Sequence, residues 1–263
     1  MKHLFLADRV SQGWRPALSP ALLVVVLAVA VAGAAPRAAA QASDTACCIA
    51  PENGGGTATL PPSGAAPGCA FVGTTEIVAG LPAGTTIQVS GWFGNFTGQV
   101  ETAGGGLGGT MSTWQGQFLM NMTGTGTLLG FNRSIVIPLG PGNAQMDFSP
   151  RMAFAPVQNV NAQVYYLFGQ VFGDPDFDLL RISAGYGFGL PAPGQVQVAS
   201  SGGGWGVSGY FDLTHRIDFV GKAGGALSGL SGSTTRERRF EMCPGGAVPE
   251  ESRTWSGVKA LYR

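Results

Sequence analysis

The amino-acid sequence predicts an all-β protein: an antiparallel β-sandwich of jelly-roll type, with a β-barrel as the alternative closure of the same strands. Three observations predict it. Of the 263 residues, 43 are Gly and 17 are Pro, scattered without a period; each Gly inside a helix costs about 1 kcal/mol relative to Ala, so a helical bundle is disfavoured. Hydrophobic residues make up 44% of the chain and charged ones 11%, with a formal net charge of zero. That composition excludes a disordered chain, and the irregular glycines exclude a collagen-like one. Finally, short runs rich in β-branched and aromatic residues recur between Gly and Pro, with no repeat of the solenoid or propeller kind.

Residues 1–42 read as a secretory signal peptide. Lys2, Arg9 and Arg15 supply positive charge, an apolar run spans 21–35, and the small residues at 38–42 offer a cleavage site. The apolar core is shorter than the roughly 20 residues needed to span hydrocarbon. Asp44 stands where a lipoprotein anchor at Cys47 wants Leu. The mature part then carries 11 basic and 14 acidic residues, a net charge of −3. It lacks the basic surface that nucleic acid requires, and it has no further apolar run long enough to cross a membrane as a helix.

Residues 43–72 read as an irregular, cysteine-containing segment, with Gly54-Gly55-Gly56 and Pro61-Pro62 as breakers. The β-sandwich domain is expected over 73–243. Its strand runs are 85–93, 113–124, 134–138, 162–172, 177–183, 194–200, 209–221 and 233–242. The clearest places Phe211, Leu213, His215, Ile217 and Phe219 on one face, and Asp212, Thr214, Arg216 and Asp218 on the other. That alternation is a strand with one face on a core and one in water. Val164 to Phe168 is apolar on both faces, which predicts a strand covered by a loop or by the C-terminal tail. In the tail, 244–263, Trp255, Val258 and Leu261 recur at helical spacing and predict a short amphipathic helix, against which Gly257 counts.

Four cysteines, Cys47, Cys48, Cys69 and Cys243, agree with export, since an even count in an oxidising compartment predicts two disulfides. A vicinal bond would be strained, so one of Cys47 and Cys48 is expected on Cys69 and the other on Cys243. The rival, a metal site, needs more ligands than His215, the one histidine of the mature part, can add. Asp174, Asp176 and Asp178 alternate as oxygen ligands for calcium do, yet Leu179 and Gly185 occupy the positions where an EF-hand has Gly and Glu. A hairpin turn is the favoured reading and a Ca²⁺ site the alternative.

His215, on an apolar strand face, reads as a hydrogen-bonded packing residue. There is no nucleophile elbow. Glu76, Glu101 and Asp147 are the other acids that could flank a sugar, a weak basis for a glycosidase. Trp92, Trp114, Trp205 and Trp255 are sugar platforms if exposed and core if buried. The stretch Gly104 to Gly109 reads as a flexible loop without the Lys-Ser/Thr ending of a phosphate loop.

Several segments occur together: GLPAGTTI at 80–87, GFNR at 130–133, GDPDFDLLRI at 173–182, FGLPAPG at 188–194, FDLTHRIDFVG at 211–221 and LSGLSGSTT at 227–235. In combination they resemble a group of uncharacterised secreted bacterial proteins of planctomycete-like and metagenomic origin, over roughly 73–243. The resemblance implies secretion and a β-rich fold, and it carries no activity. The expected function is therefore a secreted or cell-envelope, non-enzymatic structural or binding module, with polysaccharide or an envelope protein as partner. An outer-membrane β-barrel and a secreted hydrolase of glycans or esters are the rivals.

Overall fold

A computed structural model describes residues 48–50, 69–201 and 204–242. They form eleven strands: β1 (Cys48–Ala50), β2 (Phe71–Ile77), β3 (Ile87–Ala103), β4 (Thr110–Gly124), β5 (Asn132–Leu139), β6 (Ala144–Phe148), β7 (Val157–Phe172), β8 (Phe177–Ala184), β9 (Pro193–Ser201), β10 (Gly204–Gly221) and β11 (Ser231–Met242). Every pairing is antiparallel.

The chain runs up and down through eight staves. β2, β4, β7 and β10 point one way, towards what we call the upper end. β3 and β11 point the other way, as do two composite staves, β5 continued by β6 and β8 continued by β9. Both halves of the first composite pair with β4, and both halves of the second pair with β7 and β10. Each stave pairs with the next, and β11 returns to β2 through Met242 opposite Phe71. The circuit is closed. β1 lies against β10 beyond the end of β11.

The interruptions in the composite staves follow from local sequence. The first is a turn at 140–143, with Asn143 N–H donating to Gly140 O. The second is the excursion 185–192, which starts at Gly185 with φ of 102° and makes one 3-10 turn. It folds back on β7, where Phe188 stacks on Tyr166 with ring centroids 4.4 Å apart. This is the loop cover expected for the two-faced apolar run. It is partial, for Tyr165 remains 41% exposed.

The inward faces of the long strands are mostly apolar; the exceptions are buried Thr75, Ser112, His215 and Thr234, with Glu101 opposite Ser112 and Arg238 and Arg236 opposite Leu213 and His215. Phe71, Phe93, Phe96, Trp114 and Phe211 form one aromatic cluster inside the ring, with centroids 5.0–6.2 Å apart. An eight-stave interior is just wide enough for side chains to fill, and a void among Phe71, Phe93, Phe118, Phe211 and Phe240 inside the ring measures only about 10 Å³. Part of the glycine content follows from this filling. At Gly91 an added Cβ would lie 2.8 Å from the Phe118 ring, and at Gly73 it would lie 2.8 Å from that of Phe240. Phe118 and Phe240 occupy space that glycine leaves.

The all-β antiparallel prediction holds. Opposite walls pack through one core as two layers would, and the pairing continues all the way round, as in a barrel. The segment 43–72 is not wholly irregular, since it contains β1 and the start of β2. β6 was not among the expected strands: its five residues, AQMDF, alternate, but they are few and include no β-branched side chain. The leader 1–42 and the tail 244–263 lie outside the described residues. Among the described residues, no helix is long and apolar enough to cross a membrane.

Candidate functional site

The upper end is closed by its own turns. Val78 and Ala79 N–H groups donate to Thr234 Oγ1 at 3.1 and 3.0 Å, joining the β2–β3 turn to β11. Thr86 N–H donates to Thr125 Oγ1 at 3.0 Å and Thr127 N–H to Thr85 Oγ1 at 3.2 Å, joining that turn to the β4–β5 turn. Arg133, at the start of β5, reaches the β7–β8 turn at Asp174 and Asp176. Asp176 in turn accepts from the β10–β11 turn: Lys222 N–H to its backbone oxygen at 2.9 Å and Ala226 N–H to Oδ1 at 3.1 Å. Leu128, Phe131 and Leu227 are buried beneath this circuit.

The acidic series is split by this arrangement. Arg133 Nη2 donates to Asp174 Oδ2 at 2.5 Å, and its Nε lies 3.1 Å from Asp176 Oδ2. Asp174 Oδ1 accepts the Asp176 N–H at 2.9 Å. Two carboxylates thus converge on a guanidinium, and their other oxygens accept backbone N–H groups. Asp178 stands apart, exposed on β8. No group of three acids, histidines or cysteines converges to hold a metal among the described residues. Arg133 and Asp174 are 41 residues apart, and no local spacing links them.

His215 points into the filled interior and is 1% exposed. Its Nδ1 lies 3.1 Å from Leu213 O, so Nδ1 carries the proton. Nε2 then accepts from the Thr75 hydroxyl at 2.8 Å. The ring meets Phe240 edge-on. Burial holds its pKa below the ordinary histidine value. The Leu213 carbonyl opposes that shift, while the charges of Arg238 and Arg236 add to it. His215 is a neutral, hydrogen-bonded core residue.

Five further acids, Glu76, Glu101, Asp147, Asp212 and Asp218, make bonds that hold the fold together. Glu76 meets Arg236 at 3.2 Å and Arg238 at 3.4 Å, and Glu101 meets Arg151 at 3.0 Å. Asp147 accepts from Gly106 N–H at 2.8 Å and from the Gln145 and Gln163 amides, each at 3.1 Å. The loop 104–109, read from sequence as flexible, is therefore pinned by a buried carboxylate. Asp212 takes a two-pronged bond from Arg239 at 2.8 and 2.9 Å, which holds its carboxyl below the usual range. For Asp218, burial pushes the pKa up. Hydrogen bonds from Ser233 and Arg181 outweigh that and leave it lowered.

Trp114 and Trp205 are core residues, while Trp92 is half-buried on the outer wall and Trp255 lies outside the described residues. Cys69 is buried just before β2. The side chains of Cys47, Cys48 and Cys243 lie outside the described residues, and with them the expected pairings. No family model, curated protein or solved structure matches this chain.

Proposed function

We propose that this protein is an exported, non-enzymatic structural or binding module of the cell envelope or extracellular space. The observation that carries the reading is a barrel with a filled interior, in which His215, Asp174, Asp176, Asp147, Glu76 and Glu101 each serve a bond that holds the wall or its turns. A hydrolase needs an acid or a nucleophile aimed at an opening. The leader-like residues 1–42 and the cysteine count support export. Pairing of Cys47 and Cys48 with Cys69 and Cys243 belongs to this reading, and no described cysteine is a free thiol.

The membrane-barrel alternative meets an inverted polarity. Such barrels carry polar side chains inside and an apolar band about 25 Å tall outside. Here the inside is predominantly apolar, and the outer wall of β8, β10 and β11 carries Arg181, Asp218, Arg216, Asp212 and Arg239 in ion pairs. The test is expression with the native leader. The expected product begins near residue 43, is free of the membrane fraction, and sediments as a folded species without detergent. It shortens no glycan and cleaves no ester. An uncleaved, detergent-dependent product or turnover on that panel overturns the reading.

A further inference from the structure

We propose that the outer face of β3–β5 binds neutral polysaccharide, with the Trp92 indole as stacking platform and the amides of Asn121 and Gln117 as oriented donors. This rests on the binding-module reading and names its ligand class.

The surface is divided by charge. From Gln88 to Gly94 on β3, from Gln115 to Thr123 on β4 and from Ser134 to Pro138 on β5, no residue is charged. The arginines and aspartates concentrate on the other side, on β8, β10 and β11. Within the uncharged face, Trp92 lies opposite Val72 on β2 and Leu119 on β4, and Leu119 lies opposite Val136 on β5. This apolar row is one residue thick. The next outward residues on β4 are Asn121 and Gln117, each about 7 Å along the strand from Leu119.

Local geometry prepares the row for a flat ligand. An added Cβ at Gly94 would lie 2.7 Å from Trp92 Cζ2, so glycine there lets the indole lie along the sheet. Trp92 is half-buried in that position, with part of its surface left open. Ser134 Oγ donates to Asn121 Oδ1 at 2.7 Å, and Asn95 Nδ2 donates to Gln117 Oε1 at 2.9 Å. With both amide oxygens engaged, the two NH₂ groups are fixed in direction and left to donate. They stand on either side of the Trp92–Leu119 pair.

That is the chemistry of a sugar ring met from its flat side. Axial C–H bonds stack on the indole, and rim hydroxyls accept from the amides. A neutral glycan brings no charge to desolvate. An acidic glycan or a nucleic acid would find no cation on this face.

The test is affinity electrophoresis of the mature chain in gels holding hydroxyethylcellulose, galactomannan or laminarin, with polygalacturonate as the charged comparison. Retardation by at least one neutral glycan, unchanged in high salt, is expected. Trp92→Ala should weaken it about tenfold with melting unchanged. Asn121→Asp, which keeps the shape and adds a charge, should weaken it as well. Should Trp92→Ala fail to fold, Asn121→Asp decides alone. Lack of retardation by any neutral glycan, or retardation indifferent to Trp92 and Asn121, overturns the proposal. Salt-sensitive binding to polygalacturonate alone also overturns it but leaves the module reading standing, whereas shortened glycan chains overturn that reading itself. A dimer that Trp92→Ala dissociates would assign the face to a second copy and end the proposal.

Discussion

His215 shows how a single side chain changes meaning with its surroundings. On a strand drawn flat it is a histidine among apolar neighbours; inside the closed wall it is a neutral ring between the Thr75 hydroxyl and the Leu213 carbonyl. Its folded pKa lies below the ordinary value of 6.5. As pH falls, the unfolded chain takes up this proton first, so the stability His215 contributes is complete above about 6.5 and is lost below it. Asp212 and Asp218, with lowered values, hold theirs to lower pH and lose it as the pH falls through their folded values, below 3.8. We expect a melting temperature that is flat above pH 7 and falls between pH 7 and 5. In His215→Gln the step at pH 7 to 5 should flatten. Thermal scans across pH 5 to 8 check this, and a wild-type profile without the step contradicts the buried neutral histidine.

At the scale of elements, turns bind to turns. The β7–β8 hairpin by itself is an Asp-Pro turn with acids at its tip, as the sequence suggests. Arg133, brought by β5, converts those acids into a tether. Arg133→Met would leave two carboxylates facing each other without a cation. It is expected to cost about 1–3 kcal/mol, read from a denaturant midpoint. Because the guanidinium stands between Asp174 and Asp176, the melting temperature of the native chain should not move between chelator and millimolar Ca²⁺; a rise with calcium would restore the metal reading. Legibility varied between elements for the same physical reason. β10 is readable because each inward residue from Phe211 to Phe219 is apolar or, at His215, internally bonded, while its outward residues carry charge. β6 is unreadable because it is five residues long with no β-branched side chain, and the partners that bury its Asp147, on β7 and in the 104–109 loop, are assembled only by the fold.

For the whole molecule, the decisive feature is closure of the circuit. β11 stands between β10 and β2, and it delivers Phe240 and Met242 to the core. A chain ending at Cys243, which keeps the core and the expected disulfide partner, should unfold in one cooperative transition. A chain ending at Leu230 would leave β10 and β2 with open edges and an incomplete core. It is expected to lose cooperative melting and to aggregate through those edges. Circular-dichroism melts of the two truncations distinguish them, and equal cooperativity would mean that the ring does not depend on its last stave.

The sequence by itself determined the class of body this chain builds: alternating apolar residues and glycine-broken runs commit it to antiparallel strands, because side chains of a strand must choose a face. It also located most of the strands between Ile87 and Met242, while missing β6 and the second half of β3 beyond residue 93 and starting β7 and β10 five residues late. Only the tertiary structure decided that the strands close on themselves and that the acids near Pro175 answer to Arg133. The same holds for Trp92, left on an uncharged wall while Trp114 and Trp205 went inside. Those outcomes depend on residues far apart in the chain, and nothing in local spacing records which distant partner will satisfy a charge or cover a ring.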